Sequence, residues 1–133
     1  MENCIFCKIV SREIPSAKIL EDDNFIAFLG VFPKYPGMTV IATKKHVSSY
    51  LYQSLDDNEF ASMHLFTKRI ARAIDTSLGS RRCIQVMEGL EVNHGHLKLF
   101  PCYEENDDCM GEGKEMANIE ALSIIAEKIK SAL

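Results

Sequence analysis

No apolar run in the chain approaches the roughly 20 residues that a bilayer-spanning helix needs, so no membrane segment is expected. Nor is there a basic run. Lys and Arg number 15 against 19 Asp and Glu, and the formal net charge is −4. That balance lacks the cationic stripe that displaces counterions from a nucleic-acid backbone, which argues against a dedicated nucleic-acid binder and leaves small nucleotides open. The first residues, Met1-Glu2-Asn3-Cys4, are polar and resemble no secretory leader, and no internal repeat or low-complexity tract is visible. Against these absences stand 133 residues, 47% hydrophobic and 26% charged, a composition that suits one globular domain over 1–133. Five cysteines, an odd number without a secretory context, point to free or metal-bound thiols in a reducing compartment, and the cytoplasm is the expected location.

Periodicity orders the rest. Lys8–Glu13 reads as a short amphipathic helix before Pro15, and Ala17–Leu20 and Asn24–Leu29 read as strands joined through Glu21-Asp22-Asp23. A loop set by Pro33, Pro36 and Gly37 leads to a strand over Met38–Ala42. The longest helix opens near Ser54-Leu-Asp-Asp57, with Ser54 or Asp56 as N-cap, and runs on Phe60, Met63, Ile70 and Ile74 to a stop at Gly79. Cys83–Met87 is the next strand, Glu88–Glu91 a turn, and residues 92–101 the partner strand. An acidic loop follows over 104–115, and 116–133 carries Ile119, Leu122, Ala126 and Ile129 at helical spacing. Helix, strands, long helix, strands and helix together give an α+β domain: an antiparallel sheet of about five strands with the long and C-terminal helices packed on it.

Two stretches carry chemistry. In Val92-Asn93-His94-Gly95-His96-Leu97-Lys98-Leu99-Phe100-Pro101, strand alternation would put His94, His96 and Lys98 in one polar row. Neighbours in such a row are roughly 6–7 Å apart and can close on one phosphate. His96, in the middle, suits a nucleophile or general base near neutral pH, and Lys98 suits neutralisation of phosphoryl oxygens. The plainer reading is a solvated edge strand. The second stretch, Cys4-Ile-Phe-Cys7, has spacing that lets two sulfurs converge on one metal ion, with His46 and His94 as candidate further ligands. A redox pair is the rival, but it expects a preceding strand and none precedes it. Structural zinc and no metal are left equally open.

These residues resemble the histidine-triad (HIT) signature of His, apolar, His, apolar, His, with His94 and His96 in the first two positions and Lys98 in the third. The order of Cys-x-x-Cys, acidic hairpin, proline-containing loop and Lys-Lys-His46 is similar as well, so the resemblance spans about residues 4–101. It implies a nucleotidyl hydrolase or transferase acting on a nucleoside phosphoramidate or dinucleotide-type phosphoanhydride through a covalent nucleotidyl-His96, with Lys98 and His94 assisting. It also implies a homodimer formed through the long helix and a neighbouring strand, and, in several members, zinc on Cys4, Cys7, His46 and His94. Gly30 stands where the family places an Asp toward ribose, and Met38 where a His is common. For nucleotide binding the candidates are Asn93, Lys98 and the rings of Phe25, Phe28 and Phe32, with core packing the better reading for at least two rings. The alternative function is a catalytically weakened nucleotide-binding module or a zinc-stabilised interaction module.

Overall fold

Strand alternation gives the sheet two unlike faces, and the helices divide between them. The computed structural model describes residues 3–104 and 108–133, and its elements are α1 (Ile5–Val10), β1 (Lys18–Glu21), β2 (Phe25–Leu29), β3 (Thr39–Thr43), α2 (Leu51–Ser54), α3 (Asp57–Leu78), β4 (Arg82–Val86), β5 (His96–Cys102) and α4 (Ile119–Lys130). The five strands form one antiparallel sheet in the order β1-β2-β3-β5-β4. The expected α+β class, strand number and helix packing are present.

One face carries Ile19, Phe25, Ala27, Ile41, Leu97 and Leu99, and it meets Met63, Phe66, Ile70 and Ile74 of α3 together with Leu122, Ala126 and Ile129 of α4. Burial of these aliphatic stripes supplies most of the driving force for folding. Helix α3 is started by a full capping box, in which Asp56 Oδ1 accepts from Glu59 N at 2.8 Å while Asp56 N donates to Glu59 Oε1 at 3.0 Å. Of the two N-cap candidates, Asp56 is the one used. The helix ends where Gly79 takes the left-handed conformation with φ 76°.

The opposite face carries Ile26, Phe28, Val40 and Ala42, and here α1 packs through Phe6 and Ile9. Helices therefore lie on both sides of the sheet, α3 and α4 on one and α1 on the other. Helix α1 also begins earlier than periodicity suggested. Cys4 is its N-cap, with Sγ accepting from Cys7 N at 3.4 Å, so the cysteine pair starts the helix instead of preceding it.

Three further details differ from expectation. Cys102 and Cys109 are joined as a disulfide with Cα atoms 5.4 Å apart, so not every thiol is free or metal-bound. Strand β5 starts at His96, which leaves His94 ahead of the strand and out of its alternation. Short helix α2 was not signalled by any periodic run. Of the acidic loop, residues 105–107 lie outside the described residues. Among the described residues no helix is long and apolar enough to cross a membrane.

Candidate functional site

Strand pairing sets out the site row by row. His96 lies opposite Ala42, which lies opposite Ile26, and Lys98 lies opposite Val40, which lies opposite Phe28. His96 and Lys98 thus project from the face that α1 covers. His94 reaches the same region from the turn before β5, and the Phe6 ring meets both imidazoles edge-on, with centroids 4.8 Å from His96 and 5.8 Å from His94.

The turn that holds the two histidines depends on Gly95. Its N–H donates to Val47 O at 2.9 Å, and its carbonyl accepts from Thr43 N at 2.9 Å. A Cβ here would stand 2.8 Å from Val47 Cγ2 and 3.0 Å from Thr43 Oγ1, closer than packed atoms tolerate. Glycine lets this backbone nest against the end of β3, so both imidazoles start from a fixed frame.

His94 is fully buried and held at both nitrogens. Nε2–H donates to the Thr43 carbonyl at 2.6 Å, which leaves Nδ1 with its lone pair 3.2 Å from Cys4 Sγ and 3.5 Å from Cys7 Sγ. Cys7 Sγ is in turn 3.3 Å from His46 Nδ1. The four ligand atoms of Cys4, Cys7, His46 and His94 all lie within 4.8 Å of one another. Zinc bonds of roughly 2.3 Å to sulfur and 2.0 Å to nitrogen give sulfur–nitrogen edges of roughly 3.5 Å in a tetrahedron, so this donor set and spacing fit structural zinc. The Thr43 carbonyl fixes the His94 tautomer, as a metal-bound imidazole requires. Burial lowers the His94 pKa below its ordinary value, against the opposing effect of the Thr43 hydrogen bond, which favours the neutral ligand form. Burial likewise pushes the Cys7 thiol up, with its hydrogen bond to Cys4 adding to the effect.

His96 is only 3% exposed. Its Nδ1–H donates to the His94 carbonyl at 2.6 Å, which leaves Nε2 as the unprotonated nitrogen. Burial lowers its pKa, with the nearby Lys98 charge acting in the same direction and the carbonyl hydrogen bond opposing. The ring is neutral near pH 7, as a nucleophile would need, but it lies beneath Phe6.

Lys98 does not stand free. Its Nζ is 2.8 Å from Glu112 Oε1. Both line a mostly apolar hollow of about 410 Å³ with Phe6, Ile9, Phe28 and Val40. A second, more open hollow of about 910 Å³ runs past Cys4, His46, Glu91 and Asn93. Asn93 Oδ1 accepts from Ser49 N at 3.0 Å, so this side chain braces a loop.

The three phenylalanines part company. Phe28 lines the hollow beside Lys98. Phe25 projects to the other face and packs on Phe66 with centroids 5.8 Å apart, so the structure does not bring it to the site. Phe32 is exposed on the loop after β2. Sequence reasoning missed Phe6, although it stands between the two cysteines. It also missed Gly95 as the packing point, and Glu112, whose distance along the chain left no local signal.

The HIT domain family matches residues 11–105. A HIT-like protein of Methanocaldococcus jannaschii is 30% identical over 131 residues, which cover 93% of this chain and 97% of that one. The adenosine 5'-monophosphoramidase of Saccharomyces cerevisiae is 32% identical over 105 residues, 77% of this chain and 64% of that one. Among solved structures, a zinc-bound histidine triad family protein from Mycobacterium smegmatis superposes with a TM-score of 0.79 at 26% identity, covering 98% of this chain and 93% of that one. With the family match over most of the length, and with His94 in the turn before β5 and His96 at the first residue of that strand, the chain belongs to the HIT, or histidine triad, family.

Proposed function

We propose that this chain is a zinc-stabilised, nucleotide-binding HIT domain whose nucleotidyl-transfer chemistry is weakened. The observation that carries the reading is the cover on His96. Cys4 and Cys7 flank Phe6, so a metal on Cys4, Cys7, His46 and His94 would anchor α1 and hold that ring over His96. Zinc would supply fold stability there, by tying α1 to the turn that bears His94. The hollow beside Phe28 takes an apolar group, and Lys98 at its edge takes an anionic one once Glu112 is displaced. A small nucleotide combines both. Lys98 supplies charge without the proton shuttle that an imidazole gives, which lowers the expected rate further.

A second reading keeps the full hydrolase or transferase. Its support is the His96 tautomer, with Nε2 unprotonated, and the phosphoramidase activity named for the yeast relative. Nε2 would bond to the α-phosphorus as the leaving group departs, and water would then cleave the phosphorus–imidazole bond. In either reading we propose a homodimer built on α3 and β4, since β4 is an edge strand of the sheet with exposed side chains.

Calorimetry with AMP, run beside an adenosine phosphoramidate turnover assay on the wild type and His96→Ala, separates the readings. The weakened domain expects AMP to bind and wild-type turnover to stay within about tenfold of His96→Ala. Fast wild-type turnover that falls by about a thousandfold or more in His96→Ala would establish the hydrolase instead. Absence of AMP binding in both proteins would remove both nucleotide readings and leave a zinc-stabilised interaction module.

A further inference from the structure

Glu112 reaches Lys98 from outside the sheet, on the segment between β5 and α4, and it is held there. The segment is tethered at one end by the Cys102–Cys109 disulfide. Further along, Gly113 N donates to Phe32 O at 2.9 Å and Ala117 N donates to Val31 O at 2.8 Å, so this segment lies against the loop after β2. Gly113 passes so close that a Cβ there would stand 2.6 Å from the Pro33 carbonyl oxygen. The disulfide before Glu112, and the backbone bonds and close packing after it, thus deliver its carboxylate to Lys98 Nζ at 2.8 Å, with the lysine side chain only 16% exposed.

The charge around the hollow makes the consequence definite. Among the described residues that line it, Lys98 is the one cation, while Glu91 and Glu112 bring two carboxylates. A carboxylate and a phosphate seek the same charge-assisted hydrogen bonds from an ammonium group, and with Glu112 already holding Nζ a second anion meets a partly neutralised cation and a like charge beside it. We propose that Glu112 is an internal competitor for Lys98, a specificity-determining residue that weakens phosphate-bearing ligands relative to uncharged nucleosides. The inference rests on the nucleotide-binding reading above and deepens it. Its carboxylate is tethered, so it competes at a high effective concentration that free anions in solution do not match.

The test compares wild type with Glu112→Gln by titrating AMP and adenosine separately. Glutamine keeps the shape and a hydrogen bond to Lys98 but removes the charge, so the ratio of AMP to adenosine affinity should rise about tenfold in the variant, the size expected for a charged hydrogen bond. Adding Lys98→Met to Glu112→Gln should abolish that gain. A Glu112 that merely holds its segment in place would shift both ligands alike, and an unchanged ratio overturns the proposal. If neither nucleoside ligand binds either protein, the nucleotide reading fails. Inorganic pyrophosphate titrated into the same two proteins then decides the competitor by itself: tighter binding to Glu112→Gln upholds it, and equal or absent binding in both overturns it.

Discussion

The two faces of the sheet are made by the same strands and do different work. On the α3/α4 side, aliphatic groups meet aliphatic groups, and Ile41, Met63, Ile70 and Leu97 are fully buried. On the α1 side, the apolar row of Ile26, Phe28, Val40 and Ala42 is interrupted by His96 and Lys98, and the cover is a helix of six residues. A helix that short is not stable by its own hydrogen bonds. It stays because Phe6 and Ile9 pack on the sheet and Cys4 and Cys7 converge with His46 and His94. The comparison teaches that stability resides in one face and that the other is free to carry polar groups, provided an attachment outside the core holds its cover down.

The comparison breaks most severely if the aliphatic face is cut. Ile70→Ala removes buried methyl groups from a site that cannot collapse around them, and chemical denaturation should show a loss of about 3–4 kcal/mol. Metal removal sharpens it. A chelator, or Cys7→Ser, should abolish amide exchange protection in α1 while the amides of β2, β3 and β5 remain protected, as hydrogen exchange followed by mass spectrometry would show. Simultaneous loss of protection throughout the sheet would mean that the two faces are one cooperative unit.

The smallest effect concerns the ion pairs around Glu21 of β1, which gather Lys44 from beyond β3 and Arg12 from beyond α1. Glu21 receives Lys18 at 2.8 Å, Lys44 at 3.1 Å and Arg12 at 3.5 Å. The hydrogen bonds from Lys18 and then Lys44 pull its carboxyl pKa from 4.5 down to about 2. A depressed carboxylate stabilises the fold above its unfolded pKa, and that contribution disappears as pH falls through the range down to about 2. Wild type should therefore lose more stability than Glu21→Gln between about pH 5 and about pH 2 in thermal melts, by about 1 kcal/mol or less because the cluster is partly solvated. The buried, neutral His94 and His96 act in the same direction at higher pH. Protonation is favoured in the unfolded chain, so stability declines as pH drops through the usual histidine range.

Much of this was written in local pattern. Apolar residues two apart in β3 and β5, and three to four apart in α3 and α4, determined the strands, the helices and the aliphatic face, because those repeats are the geometry of the elements themselves. Cys4, Cys7, His46 and His94 were legible as one donor set because the two cysteines sit at ligand spacing and the histidines were the matching side chains. Tertiary structure alone decided where His94 leaves the row, which face Phe25 takes, that Phe6 lies over His96, and that Glu112 comes back to Lys98. Each of these depends on strand register or on contacts between residues far apart in the chain. Sequence spacing says what a residue can do within its own element, and only packing between elements decides what it meets.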